Sequence, residues 1–522
     1  MVRSLLFSSI TFLYYFLPAV LVIYYLAPAK VKNLILFLAS FVFYLWGEPK
    51  YSVLLLFSVT AGYMGGRCIE YQRQKKCVCA ADPADRSGKY KGGHDRLVVG
   101  IFTAMTLGLL VFFKYMDFLA DSVNRILGTH VPMVQIALPV GISFYTFQII
   151  SYYVDVYRGE VAAEHNFVDF AAYVTMFPQL IAGPIVRFQS VQAELKHREI
   201  TWEKTGEGAA RFVCGLCKKV WIADSLAPLV SALQNISETA AKTEAVVTTG
   251  IRAEGAGIGT LGYWVLALAF MLQLYYDFSG YSDMAIGLGK ILGFTFPENF
   301  RYPFISKSIS EFWRRWHMTL GRFFTRYVYI PLGGNRRGKM RTLCNVMIVM
   351  LLSGLWHGAA WTFVLWGFLH GVGMIWDNLE HPHLPKKWMR QAATFAYVCM
   401  TFVFFRAESI AQGVDVLKSI VSLKWNGFVF QMASALDMTE CYMITKALSM
   451  KLPGLLSWFW LGIFVVLIAI CFRVLSGEKV SGVVALQRQK GYGRLYPVLL
   501  AVLFTWSMIS MTGVSEYLYF SF

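Results

Sequence analysis

Residues 345–361 read Asn345-Val-Met-Ile-Val-Met-Leu-Leu-Ser-Gly-Leu355-Trp356-His357-Gly358-Ala359-Ala360-Trp361. The positions from Asn345 to Leu355 are almost wholly apolar, and the apolar character extends from about 342 to 376. A helix needs roughly 20 residues, at about 1.5 Å each, to cross a hydrocarbon layer. The run is too long for one simple span, so it reads as a long helix or as a span plus a re-entrant piece. If the run is helical throughout, His357 falls near mid-bilayer. An ionisable group in such a place is costly, and is a functional candidate for that reason.

The same character recurs along the whole chain. Of 522 residues, 57% are hydrophobic and only 15% charged, with 41 Phe, 28 Tyr and 15 Trp. A soluble domain cannot hide that much apolar surface, whereas a membrane protein turns it towards lipid. Apolar segments lie near 5–26, 33–47, 51–66, 97–114, 136–154, 167–186, 208–234, 260–292, 342–376, 390–406, 456–474 and 494–513. The fold class expected is therefore all-α: a polytopic transmembrane bundle of about eleven spanning or re-entrant helices. Ala27-Pro28-Ala29 looks like a signal-peptide cleavage site, but the apolar run Leu5 to Leu26 exceeds a typical signal core, so it reads as a retained first span.

The net charge of +17 lies in the connections between apolar segments and not along one helix face. That placement fits the positive-inside rule and argues against nucleic acid as a partner. Stretches 67–96, 187–219 and 473–494 read as cytoplasmic, 235–257 as extracytoplasmic, and the N-terminus as outside. The expected location is the cytoplasmic (inner) membrane. Nine cysteines are scattered; Cys214 and Cys217 form a CxxC with no second ligand pair at zinc spacing, so no metal site is expected. No internal repeat and no long polar block divides the chain, which reads as one integral membrane domain over 1–522, with a core of about 35–410 and further C-terminal helices over about 411–522.

Two polar interruptions stand out. Gln273-Leu-Tyr-Tyr-Asp277-Phe-Ser279-Gly280-Tyr281-Ser282-Asp283 places two carboxylates inside the 260–292 run. On a regular helix Asp277 and Asp283 share no face. They read either as a pair bonded to backbone or arginine around a break at Gly280, or as the wall of a polar cavity. The second interruption, 301–341, carries ten Lys or Arg against one acid, Glu311, interleaved with aromatics. Arg314, Arg315, Trp316, Asn335 and Arg336 lie in it. The stretch suits an interfacial anchor and also suits an anionic ligand, because arginine grips phosphate in a bidentate fork. His357 reads either as a satisfied structural histidine or as a general base; His370 reads as structural, His94 as a loop residue, and His381 and His383 as a helix-end connection.

Taken in order, several pieces form a pattern: Leu138-Pro139-Val-Gly141-Ile-Ser143-Phe-Tyr-Thr-Phe-Gln148, Phe177-Pro178-Gln-Leu-Ile-Ala-Gly183-Pro184-Ile-Val-Arg187, Tyr276-Asp277-Phe-Ser279-Gly280-Tyr281-Ser282-Asp283, Asn299-Phe-Arg301-Tyr-Pro303, Phe312-Trp-Arg-Arg-Trp-His317, Tyr329-Ile-Pro-Leu-Gly-Gly-Asn335-Arg336, Gly354-Leu-Trp-His357-Gly and Phe404-Phe405-Arg406-Ala407. The chain resembles the membrane-bound O-acyltransferase family, and within it the bacterial alginate O-acetyltransferase group. The resemblance implies His357 as catalytic base and His317, forty residues earlier, as its partner. It also implies a thioester donor at the cytoplasmic side, acetyl-coenzyme A or an acyl carrier protein, with no permanently bound cofactor. The arginines of 301–341, with Asp277, Tyr281, Ser282, Asp283 and Trp356, would then serve donor and substrate binding. The implied acceptor is an exported, alginate-like polysaccharide, reached directly or through an acetyltransferase partner outside the membrane. Alternatives are D-alanyl transfer to teichoic acid from a carrier-protein thioester, and a transporter or flippase. The residues needed to stabilise a tetrahedral oxyanion are not identifiable from the sequence.

Overall fold

The computed structural model describes residues 7–80, 94–246, 259–379, 386–422 and 495–511. Every regular element among them is helical. Among the described residues, five helices are long and apolar enough to cross a membrane: Ala29–Gly47, Pro49–Lys75, Asp95–Leu127, Gly259–Ile291 and Lys339–His357. Two shorter apolar helices, Phe12–Leu26 and Pro497–Ile509, add to them. Only 11% of the most apolar window of Asp95–Leu127 is buried, so its leucines, valines and phenylalanines are left for lipid. The segment expected at 456–474, the basic stretch 473–494, His381 and His383 lie outside the described residues. His94 opens a helix and does not sit in a loop.

The chain forms two compact units that alternate along the sequence: 1–212, 281–298 and 319–334 in the first, and 213–280, 299–318 and 335–522 in the second. In the first unit, Ile142–Arg158 is buried along nearly its whole length. At its C-terminal end the buried Asp155 carboxylate accepts from Arg187 Nη2 at 2.8 Å and from the Tyr327 hydroxyl at 2.8 Å. Glu160 pairs with Arg187 and Arg326. Burial alone would raise the Glu160 carboxyl, but the Arg326 hydrogen bond and the charges of Arg326, Arg187 and Arg158 outweigh it and hold it below its ordinary value. Asp283 and Glu298 both receive Arg211.

Five helices surround the two histidines singled out in the sequence: α1 (Gly259–Ile291), α2 (Ile309–Arg315), α3 (Lys339–His357), α4 (Trp361–Asn378) and α5 (Lys387–Arg406). The expected break in α1 at Gly280 does not occur; the helix continues to Ile291. Gly280 instead allows close approach, since a Cβ there would lie 2.8 Å from the Gly215 carbonyl oxygen. The preceding rod, Trp202–Cys217 and Asp224–Val246, is joined by a π-helical turn at Lys218–Ala223. Lys219 in that turn is buried, with its ammonium 2.8 Å from Asp224 and 2.7 Å from Asp277. Of the two readings of Asp277, the structure thus gives an internal ion pair, with lysine as the cation.

The long run 342–376 resolves into two helices. α3 ends at His357, residues 358–360 turn, and α4 begins at Trp361. The helices run antiparallel at backbone contact: a Cβ on Gly354 would lie 2.3 Å from the Phe363 carbonyl oxygen, and one on Gly367 would lie 2.4 Å from that of Met350. Small residues permit such approach where lipid gives no hydrophobic drive between helices. His357 therefore lies at a helix end in a hairpin bend, whereas the mid-bilayer placement rested on one continuous helix.

These contacts make two stability effects measurable. Gly354→Ala forces backbone apart and should cost about 1–3 kcal/mol, whereas Gly108→Ala, with nothing within 4 Å, should be neutral or slightly stabilising. Thermal unfolding of the detergent-solubilised variants checks the contrast. Lys219→Met leaves two carboxylates around a buried apolar chain and should cost about 3–5 kcal/mol; adding Asp277→Asn should recover part of that in the same assay.

Candidate active site

The site is built wholly within the second unit. Residues 299–301 and 315–318 are pinned together by two backbone hydrogen bonds, Arg301 N to Arg315 O at 2.8 Å and Met318 N to Asn299 O at 2.8 Å. Between these anchors His317 adopts φ +43°, a left-handed conformation that a branched or bulky residue enters only when its surroundings impose it. Its Nδ1 lies 3.0 Å from Asn299 Oδ1. An amide oxygen only accepts, so Nδ1 carries the proton and Nε2 keeps a lone pair. The ring is fully buried, with the Phe278 ring edge-on at 4.8 Å.

His357 approaches from the hairpin bend. Its ring centroid is 6.4 Å from that of His317, and Trp356 packs against both, at 5.8 Å and 5.0 Å. The forty-residue spacing thus does bring the two imidazoles together. A small cavity opens on His357, lined also by Leu274, Phe278, Trp316, Trp366, Phe402 and Phe405. Trp366 and Phe405 hold the His357 ring edge-on, each at 5.2 Å. The arrangement is an imidazole in an apolar, water-poor chamber with a second imidazole beside it, which suits proton abstraction from an alcohol.

The other expected site residues fall in different places. Trp316 is in the cavity wall, and Trp356 packs against both histidines. Asp277, one residue before the lining Phe278, is engaged by Lys219. Arg315 is bonded to Glu311 at 2.8 Å, next to a Ser308 N-cap that accepts from the Glu311 N–H. Burial would raise the Glu311 carboxyl, but the Lys307 N–H and Arg315 prevail and hold it below its ordinary value. Arg314, Asn335 and Arg336 are exposed. Tyr281, Ser282 and Asp283 belong to the first unit, where Tyr281 stacks on Phe7 at 4.7 Å and Asp283 pairs with Arg211 at 2.8 Å.

His370 is the structural histidine the sequence suggests. Trp313 Nε1–H can only donate, so His370 Nδ1, 3.2 Å away, is the acceptor and Nε2 bears the proton. Nε2–H then donates to Thr401 Oγ1 at 3.0 Å, and Thr401 donates onward to the Val398 carbonyl at 2.8 Å. Trp366 and Phe402 of the cavity carried no signal in the sequence, being apolar residues in apolar runs; Leu274, Phe278 and Phe405 lay inside motifs whose other residues drew the reading.

Comparison with known proteins places the chain in a family. The model of the membrane-bound O-acyltransferase family matches residues 158–412, which include both histidines and the whole cavity wall. The chain is 43% identical over 413 residues to the probable alginate O-acetylase AlgI of Azotobacter vinelandii, covering 78% of this chain and 76% of that protein. It is 33% identical over 458 residues to the peptidoglycan O-acetyltransferase of Helicobacter pylori, covering 80% of each. Similarity to the teichoic acid D-alanyltransferase of Streptococcus thermophilus is lower, 28% over 265 residues, or 49% of this chain and 58% of that one. With this similarity spanning most of its length and the paired histidines at one apolar cavity, the chain belongs to the membrane-bound O-acyltransferase family and is a multi-pass membrane enzyme that transfers acyl groups to oxygen.

Proposed function

We propose that the protein moves an acetyl group from a thioester donor on the cytoplasmic side of the inner membrane to hydroxyls of an exported, alginate-like polysaccharide, with His357 as general base. The observation that carries the reading is the convergence of His357 and His317, at 6.4 Å, on an apolar cavity. His357 takes the acceptor's hydroxyl proton, the oxygen attacks the thioester carbonyl, and the proton passes to the departing thiolate. His317, locked by Asn299, orients or relays on one side of the base. The exposed Arg314 and Arg336 suit the phosphates of acetyl-coenzyme A, while Arg315 is already engaged by Glu311.

Acetyl transfer is favoured over D-alanyl transfer because relatives named for O-acetylation align over far more of the chain. The final acceptor is reached either directly or through an acetyltransferase outside the membrane, and no permanently bound cofactor is required.

The test uses membrane vesicles supplied with labelled acetyl-coenzyme A and unacetylated polymer, following label transfer and thiol release. His357→Ala should lower kcat by about 10²–10⁴-fold with insertion intact. His317→Ala should lower it less and leave the donor's KM little changed. Transfer at the native rate by His357→Ala would overturn the assignment of the base; label moving only from a D-alanyl carrier thioester would overturn the choice of acyl group.

A further inference from the structure

Acyl transfer through a tetrahedral intermediate needs a hydrogen-bond donor for the oxygen that gains charge. The His357 cavity is otherwise apolar: of its lining, only Trp316, His357 and Trp366 carry polar side-chain atoms. Trp366 is fully buried. Its Nε1–H is buried too, and no acceptor among the described residues lies within hydrogen-bond reach of it. An indole nitrogen is a donor only, and a buried donor left unmade is rare in native proteins and calls for an explanation.

The surroundings of Trp366 rule out the simplest one, the nearest imidazole, His370, as acceptor. The His370 ring packs 4.7 Å from the indole, but its two nitrogens already serve Trp313 and Thr401. The indole is also held stiffly. Phe405 packs on it at 5.1 Å, Trp313 at 5.7 Å and Phe402 at 6.0 Å, and the next residue, Gly367, is in backbone contact with Met350. His357 lies perpendicular to it at 5.2 Å. A rigid, desolvated donor next to the base is what stabilisation of developing charge requires, since it needs no reorganisation when the charge appears.

We propose that the Trp366 indole N–H is the oxyanion donor of this enzyme, binding the thioester carbonyl oxygen and the alkoxide formed from it. The inference rests on the reading of His357 as the base. His357 accepts the acceptor's hydroxyl proton as the new C–O bond forms, and the carbonyl π electrons move onto the oxygen held by Trp366. When the C=O bond re-forms, the C–S bond breaks, the thiolate leaves with the electron pair and takes the proton from His357. Trp366 gives up no proton at any stage.

The test is to remove the N–H while keeping the ring. Site-specific replacement Trp366→β-(3-benzothienyl)alanine puts sulfur where the N–H was, at one of the chain's 15 tryptophans. In the vesicle assay kcat should fall on the order of 10²-fold, with the donor's KM changed by less than about 3-fold and thermal unfolding unaltered. In parallel, fluorinated tryptophans at the same position, whose N–H is more acidic, should keep kcat at or above the native value, rising with acidity. This second series decides the matter if the sulfur analogue fails to fold. Native kcat in the benzothienyl enzyme, or no dependence on N–H acidity, overturns the proposal. If His357→Ala is inactive in the same preparations, only the role of Trp366 has failed; if His357→Ala is also active, the reading of the cavity as the reaction site fails with it.

Discussion

The site depends on the backbone contact between α3 and α4. Gly354 and Gly367 allow the two helices to touch at Phe363 and Met350, and that contact fixes where each helix places its side chains. It puts His357 at the last residue of one helix and Trp366 in the second turn of the other, facing across a ring separation of 5.2 Å. A Leu or Val at either glycine would widen the hairpin by the thickness of a side chain and part the two walls of the cavity. In lipid, where apolar side chains gain nothing by leaving one another for solvent, close backbone packing is the main means of setting such a distance. Helix α5 closes the third side with Phe402 and Phe405.

The second histidine is held by a different device. His317 sits in left-handed backbone just after α2, and the strain is held by the two backbone bonds linking 299–301 to 315–318 and by Asn299. Strain of this kind persists only where the surroundings over-determine it, and it concentrates at functional positions. The aromatic packing around it (Phe278, Phe300 and Trp356) leaves the imidazole little rotational freedom. One imidazole is thus placed by helix packing and the other by a clamped turn.

Much of this was legible in the residues. The apolar runs gave an all-helical membrane protein, and His357 stood out because an ionisable group in such a run is costly, whereas His317, in a basic stretch, was marked only by the family resemblance. The polar residues of 277–283 were visible but their partners were not: Lys219 lies 58 residues before Asp277 and Arg211 lies 72 before Asp283, and no local rule links such positions. A division of the 342–376 run was one of its two readings, but the break could not be placed after His357, because Gly358-Ala359-Ala360 is weak punctuation in an apolar context and only the packing of Phe363 against Gly358 shows why the chain turns there. The cavity wall was illegible for a simpler reason. Leu274, Phe278, Trp366 and Phe402 look like any other core residues until tertiary structure brings four helices to one point.

On the proposed reading, in which a thioester reacts at His357, the chemistry of the wall reflects a competition between water and alcohol. A thioester carbonyl can be attacked by water as well as by an alcohol, and water is far more abundant at either membrane face. Leucine, phenylalanine and tryptophan side chains around His357 offer water almost no hydrogen bonds. A base in such a chamber meets few protons to abstract other than the one an entering alcohol brings. The same dryness raises the cost of an unsupported oxyanion, because a charge without a donor is least tolerable where the dielectric is lowest. On the proposed mechanism, a chamber that excludes water to protect the acyl group needs at least one internal donor, and the buried indole N–H of Trp366 is suited to that part without giving the chamber a group that water would occupy in preference to substrate.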